Sequence, residues 1–270
     1  MRVLAVTSGG MDSMAMGVKA KHDGHEVVLF HGDLGQKAEL PERRAVRVCG
    51  EILGVSTYFV DLSWVGKLKG SVLTDPALEV PKGIESLRES NLITKDYRKK
   101  QHKGKGLWTP ARNVILLASA SVYAERYGFD MLTLGANQSE TAYPDNRLEF
   151  LKRFEYMLEY GTLRDIEVSA PLYEMDKVDL VEWEWKNGYS KILAHTWSCD
   201  LGEVYQCGEC GCCMNRRLAF YIAKQRVPGI EDNQRYENEN YFREVYLPAI
   251  RKPGAMKGMW FEKYSELILK

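Results

Sequence analysis

The sequence predicts an α/β fold built on a parallel sheet, and three observations carry that expectation. Short β-branched runs alternate with helix-patterned stretches through the first half of the chain. Three stretches look chemical (SGGMDS, HGDLGQ and GANQSE), and each directly follows or closes one of those runs. Ligands of parallel sheets gather at the carboxyl ends of strands, near the point where strand order reverses, so this placement is informative.

Taken in order, VLAVT is a first strand, followed by a helical stretch from about Asp12 to Lys21. EVVLFHG is a second strand, Pro41 to Leu53 a second helical stretch, and TYFVDL a third strand. Between Gly83 and Gly106 the periodicity dissolves, and Lys95 to Gly106 is strongly basic. That stretch reads as a solvated loop, with a lid whose lysines settle over phosphates as the sharper alternative. In ARNVILLASASVYAERYG, residues Val114, Leu117, Ser121, Val122 and Glu125 fall at helical spacing, with Gly128 as the stop. MLTLGAN is a fourth strand. Beyond about Tyr236 lies a tail carrying Tyr241, Phe242, Trp260, Phe261 and Tyr264, aromatics expected to pack on the main domain or on a partner subunit. The division expected is a nucleotide-binding domain over 1–190, a cysteine-rich segment over 191–236 packed on it, and an extension over 237–270.

The 270 residues are 45 % apolar and 27 % charged, the balance of an ordinary globular protein. Lys+Arg and Asp+Glu both number 37, and the missing basic excess disfavours a dedicated nucleic-acid binder. No apolar stretch approaches the roughly 20 residues of a membrane span. The N-terminus shows neither an apolar leader core nor a cleavage site, so a cytoplasmic protein is expected. Of six cysteines, all but Cys49 lie between Cys199 and Cys213. Such clustering in a long chain argues for metal in a reducing compartment rather than disulfides.

SGGMDS has the makings of a phosphate cradle, because glycines let backbone N–H groups converge beside a helix N-terminus. It lacks the Lys-Ser/Thr of a Walker A loop and the three-glycine spacing of a dinucleotide fingerprint. Turn chemistry alone also fits a plain strand-to-helix turn capped by Asp12 or Ser13. The cysteines read Cys199, then Cys207-x-x-Cys210-x-x-Cys213, a set that suits structural tetrahedral zinc. Spacing alone leaves Cys212 as an alternative to Cys213, and the run also resembles part of an iron–sulfur ligand set. Cys49 is expected to be a small core residue. His22, His25, His31, His102 and His195 show no metal spacing and are expected to be structural or exposed.

SGGMDS after a first strand is also the signature of the PP-loop ATP pyrophosphatases, matched here by Ser8, Gly9, Gly10, Asp12 and Ser13. Further landmarks occur in order: Gly35-Gln36, SVLTD, EVPKG, Trp108 to Asn113 as W-x-P-A-R-N, and Tyr143 to Arg147 with Glu149 and Phe150. Ala170-Pro171, Lys177 and the run from Thr196 to Arg216 complete them. From about Val3 to Tyr236 the chain therefore resembles the 7-cyano-7-deazaguanine synthase family of the queuosine and archaeosine pathways.

That resemblance implies an adenine-nucleotide α-hydrolase-like fold with a C-terminal zinc-binding segment. It also implies conversion of 7-carboxy-7-deazaguanine and ammonia to the nitrile through adenylated carboxylate and amide intermediates. ATP with Mg2+ and a structural Zn2+ come with it, as does a homodimer. Zinc is favoured over iron–sulfur because this chemistry needs no redox centre. The implied nucleotide contacts are Thr7, Ser8, Gly9, Gly10, Met11, Asp12, Ser13, Gln36 and Gly135. Asp12, Arg112 and Lys177 are the implied catalytic groups, and Cys199, Cys207, Cys210 and Cys213 the implied metal ligands. Candidates for holding the base are Trp108, Arg112, Asn113, Tyr143, Asp145 and Arg147. An Arg suits the carboxylate as a fork, and an Asp suits a guanine-like N–H edge. The bland alternatives are that Arg112 and Asn113 cap the next helix and that Asp145 and Arg147 form a surface ion pair.

Three features depart from the family pattern: Asn146 where Cys is usual, a lengthened basic middle segment, and the extension over 237–270. They set a second reading beside the first, a paralogue that stops at the amide or joins the acid to a protein amine. A tRNA-modifying thiolase of the same superfamily is disfavoured by the neutral charge and the closed cysteine set. A nucleotide-binding module without turnover is the non-enzymatic alternative.

Overall fold

The computed structural model describes residues 1–86, 106–140 and 143–270, so the basic stretch read as a loop or lid lies outside the described residues except for Gly106. Five strands form one sheet: β1 (Arg2–Val6), β2 (Glu26–Asp33), β3 (Thr57–Asp61), β4 (Met131–Thr133) and β5 (Glu167–Ser169). Their order is β3-β2-β1-β4-β5, and every pairing is parallel. The chain moves outward from β1 through β2 to β3, then returns to the other side of β1 for β4 and β5. Strand order therefore reverses between β1 and β4, which opens the crevice where α/β proteins bind ligands.

The expected alternation of strand and helix holds, with boundaries shifted by a few residues. Helices α1 (Met11–His22) and α2 (Glu39–Leu53) follow β1 and β2, and α3 (Arg112–Tyr127) precedes β4. Both faces of the sheet are covered, which is why β1 reads as an unbroken apolar run. Val3 and Ala5 pack with Met14 and Val18 of α1 and with Val46 and Cys49 of α2. Leu4 and Val6 face the other way, against Leu117, Ala120 and Ala124 of α3. Cys49 is the small core residue expected, and burial pushes its thiol up to about 12.

Three details differ from the sequence reading. The buried face of α3 is Asn113, Leu117, Ala120, Ser121 and Ala124, while Val114 and Val122 are 41 % and 65 % exposed. The small alanines let the helix lie close on the sheet, so the larger valines fall outside. β4 is only three residues long, because the chain leaves the sheet after Thr133 to shape the loop beyond it. β5 is also three residues, too few for a period to show. Gly128 does end α3, in the left-handed conformation at φ 74°.

Among the described residues the main body also holds α4 (Leu148–Gly161), α5 (Lys177–Lys186), α6 (Ser190–Leu193) and α7 (Gly211–Arg226). The tail contains a π-helical turn (Phe242–Tyr246) running into α8 (Leu247–Ile250), then α9 (Ser265–Leu269). Phe242, Tyr246, Phe261, Tyr264 and Ile268 sit in one buried cluster with Val178 and Val181 of α5, Met214 and Leu218 of α7, and four cysteines. The tail aromatics thus pack on their own chain. Among the described residues, no helix is long and apolar enough to cross a membrane.

Candidate active site

The SGGMDS loop is wound around one hydroxyl. Ser13 Oγ lies 3.1 Å from Thr7 Oγ1, accepts from the Ser8 N–H at 3.1 Å and donates to the Gly10 carbonyl at 3.2 Å. Thr7 Oγ1 accepts from the Gly9 N–H at 3.1 Å. Capping by Asp12 or Ser13 is not what the turn does. Gly10 is the N-cap of α1, and no side chain caps the helix. Ser13 is committed to the loop itself, so the first turn presents its N–H groups, with the helix dipole behind them, to an anion.

The two central glycines do different work. Gly10 lines the cavity, whereas Gly9 turns away from it with φ +83° and packs against α2. A Cβ on Gly9 would lie 2.8 Å from the Glu42 carbonyl and 3.2 Å from Ala45 Cβ. Gly135, after β4, is needed for close approach, since a Cβ there would meet Ser13 Cα at 2.7 Å. The loops after β1 and β4 therefore touch, and they close the bottom of the crevice.

Lys177 opens α5, held by a capping box in which Asp176 accepts from the N–H groups of Val178 and Asp179. The Lys177 N–H also donates to Ser139 Oγ at 3.1 Å, tying the helix to the loop after β4. Its ammonium forms a short ion pair with the Asp12 carboxylate, both side chains being largely buried. On the β2 side, Gln36 accepts from the Leu34 N–H at 2.7 Å and donates to Glu42 at 2.7 Å. Burial pushes the Glu42 carboxyl up to about 7, opposed by His31, Gln36 and Arg112. His31 Nδ1 lies 2.9 Å from the Thr7 carbonyl and Nε2 lies 3.0 Å from Asp33 Oδ1, with Arg43 on the other oxygen at 2.5 Å. Burial alone lowers the pKa of this imidazole, but Asp33, Glu42 and the Thr7 carbonyl together raise it. His31 is thus structural, bracing the strand end under the loop.

Arg112 and Asn113 start α3, behind an Ala111 held in the left-handed region at φ 55°, ψ 24°. That conformation is costly for a residue with a Cβ and marks a backbone shaped by its surroundings. Neither side chain caps the helix. Asn113 is buried and donates to Asn146 Oδ1 at 2.9 Å and to the Asp145 carbonyl at 3.3 Å. Asp145 is buried as well, which excludes a surface ion pair. Ser71 of SVLTD meets Thr109 at 3.0 Å, bringing two sequence landmarks together.

These groups surround a cavity of about 530 Å³ at the switch point. Thr7, Ser8, Gly10, Met11, Asp12, Ser13, Gln36, Gly135, Arg112, Asn113, Tyr143 and Lys177 all line it. Gly9, Trp108, Asp145 and Arg147 do not. Trp108 stands one layer back, its ring parallel to that of Tyr143 within 12° at 6.3 Å between centroids. Sequence reasoning missed Glu42, Asp200, Asn146 and Trp260, which line the cavity too. Asn146 stands out in the sequence only as a departure from the family pattern, and Asp200 only by its place next to a Cys ligand.

Cys199, Cys207, Cys210 and Cys213 are buried, with their sulfurs all within 4.8 Å of one another. A tetrahedral metal with bonds of about 2.3 Å needs neighbouring sulfurs roughly 3.8 Å apart, and Cys207 and Cys213 are 3.9 Å apart. Backbone N–H groups of Leu201, Cys207, Glu209, Cys210 and Cys213 point at three of these sulfurs at 3.3–3.4 Å, which favours thiolates. The four fit one metal ion, and Cys212 is exposed and outside the set. EVPKG packs on this segment through a Lys82–Cys210 bridge and a Lys82–Glu209 ion pair at 2.6 Å.

A glycine loop at the switch point of a parallel sheet, beside four clustered cysteines, defines an α/β protein with a candidate phosphate site and a candidate metal site. Residues 2–224 match the family described as queuosine biosynthesis protein QueC, and the chain belongs to that family. It is 36 % identical over 245 residues to the 7-cyano-7-deazaguanine synthase of Methanocaldococcus jannaschii, covering 87 % of this chain and 99 % of that one. It is 34 % identical over 244 residues to the synthase of Methanococcus maripaludis strain C7, with the same coverage. With the synthase of Saccharolobus solfataricus it shares 33 % over 241 residues, 88 % of this chain and 48 % of that one.

Proposed function

We propose that the protein is a ligase that converts 7-carboxy-7-deazaguanine and ammonia to 7-cyano-7-deazaguanine, using two ATP and releasing AMP and pyrophosphate each time. The observation that carries this reading is the membership of residues 2–224 in the QueC family, with named synthases matching over nearly their full length. A carboxylate resists attack by ammonia because oxide is a poor leaving group. Its oxygen attacks the α-phosphorus of ATP, pyrophosphate departs, and ammonia then displaces AMP to give the amide. The amide oxygen is adenylated in the same way, and loss of AMP and a proton leaves the nitrile.

In this reading Ser8, Gly10 and the N–H groups opening α1 hold the departing pyrophosphate, where negative charge builds. Lys177 stabilises that charge, and Asp12 fixes the ammonium and is the carboxylate placed to meet Mg2+. Gly9 and Gly135 act by shape, and Gln36 borders the nucleotide. Arg112 forks onto the substrate carboxylate, and Asn113, Tyr143 and the layer behind them (Trp108, Asp145, Arg147) shape the seat of the base. The four cysteines hold Zn2+ as a structural ion. The protein works in the cytoplasm, where ATP is available and thiolates stay reduced. The tail aromatics pack on their own chain, so a homodimer would use another surface, such as the exposed row of Tyr156, Tyr160 and Leu163.

The test is to incubate purified protein with 7-carboxy-7-deazaguanine, ATP, Mg2+ and ammonium, and to follow product mass with AMP and pyrophosphate. Nitrile is expected, with the amide as an intermediate. AMP release with the deazaguanine unchanged would sink the assignment.

A further inference from the structure

The family match ends at residue 224, yet the cavity wall does not. Gly258, Met259 and Trp260, far along the C-terminal extension, line the same cavity as the SGGMDS loop. Their stretch of wall adjoins the first turns of α7, where Gly211, Cys212 and Asn215 also line it. The indole N–H of Trp260 donates to Asn215 Oδ1 at 3.1 Å. Its ring meets Phe261 edge-on at 89°, 5.4 Å between centroids, and Phe261 is fully buried. The indole is thus fixed from two sides before any ligand arrives.

The extension is also anchored to the catalytic end of the fold. Tyr264 donates its hydroxyl to Asp176 Oδ2 at 2.8 Å, and the Lys263 ammonium lies 2.7 Å from the same oxygen. Asp176 is the cap of α5, the helix that begins with Lys177. Only three residues therefore separate Trp260 from Tyr264, which together with Lys263 is pinned to the cap of the helix that carries Lys177.

We infer that Trp260 is a substrate-binding residue supplied by the extension, and that its ligand is the flat heteroaromatic ring of the acceptor rather than the nucleotide. The inference rests on the reaction proposed above. The phosphate end of the cavity is fixed by Ser8 to Ser13 and the opening of α1. Trp260 belongs instead to the wall built by α7 and the metal segment. A pre-oriented indole in a cavity stacks well on a planar ring, at little cost in ordering the side chain.

The test is steady-state kinetics of Trp260→Ala and Trp260→Phe in the full chain, with Trp260→Leu used if the alanine variant loses bound metal or melts early. Trp260→Ala, or its leucine replacement, should raise KM for 7-carboxy-7-deazaguanine about 5- to 150-fold, the range that ~1–3 kcal/mol of ring stacking gives. KM for ATP should stay within about twofold, and Trp260→Phe should recover most of the loss. An unchanged KM for the acid, or an equal rise for ATP, overturns the role of Trp260 while leaving the reaction standing. A wild-type enzyme that turns over no acid overturns the reaction instead.

Discussion

Glu184 offers the sharpest test of the physical account. It lies on α5, is fully buried, and neither carboxyl oxygen has a hydrogen-bond partner. Burial raises its pKa well above the ordinary 4.5, the charge of Asp12 adds to that, and Arg216 opposes it. The folded protein therefore keeps a proton on Glu184 that the unfolded chain releases above about pH 4.5. The stability this proton provides is complete below the unfolded pKa and is lost as pH rises toward the folded one. The slope is about 1.4 kcal/mol per pH unit. Glu184→Gln mimics the neutral acid and carries no such slope. Between pH 6 and 8, where the thiolates remain competent to hold metal, the variant should gain up to about 2.8 kcal/mol relative to wild type. For a chain of this size that is roughly 6–10 °C in Tm. Thermal or urea unfolding of both proteins at pH 6, 7 and 8, with metal bound, measures it. Parallel curves, or a wild type that gains on the variant as pH rises, would show that Glu184 is ionised in the fold and the reasoning wrong.

Lys177→Met should lower kcat/KM by about 10²- to 10³-fold by removing charge stabilisation. Adding Asp12→Asn should restore part of the stability lost with the ion pair, read as Tm, without restoring turnover. Cys213→Ser should abolish stoichiometric metal in elemental analysis, whereas Cys212→Ser should keep one ion per chain. Gly9→Ala should cost about 2–4 kcal/mol in chemical denaturation, from a left-handed φ and a 2.8 Å contact with the Glu42 carbonyl. Glu42, at about 7, gains a negative charge as pH rises through neutrality. Calorimetric ATP affinity of the wild type should therefore weaken across that range by on the order of fivefold, and that of Glu42→Gln should not.

Much of the nucleotide end was legible because its determinants are local. Thr7 to Ser13 and Gly135 follow strands directly, and a parallel sheet forces such segments to meet at the switch point. The cysteine set was legible for the same reason, since two-residue spacers bring thiolates together within one turn. The choice of Cys213 over Cys212 was not, because it depends on which side of the first turn of α7 faces the fold. The capping alternative stayed open in the sequence because Asp12 and Ser13 are good cap residues by type, yet Ser13 is drawn into a hydroxyl network that includes Thr7, six residues earlier. Asn146 stood out only as a departure from a pattern, and its bond to Asn113 is a long-range fact. Trp260 was read as packing, since an aromatic residue in a tail gives no local sign that it will reach a cavity formed more than a hundred residues earlier.

The N–H of Trp197 donates to the carbonyl of Gly9 at 2.8 Å, and two residues later the chain reaches Cys199. One backbone bond thus fastens the nucleotide loop to the first strut of the thiolate cage. In the proposed reading, a metal in the cage would limit how far Trp197 can wander, and with it the loop, so the free energies of metal and nucleotide binding would be linked. Reciprocity then requires that whatever the metal gives to nucleotide affinity, the nucleotide returns to metal retention. A structural ion in this position is also a thermodynamic gauge of the site it braces.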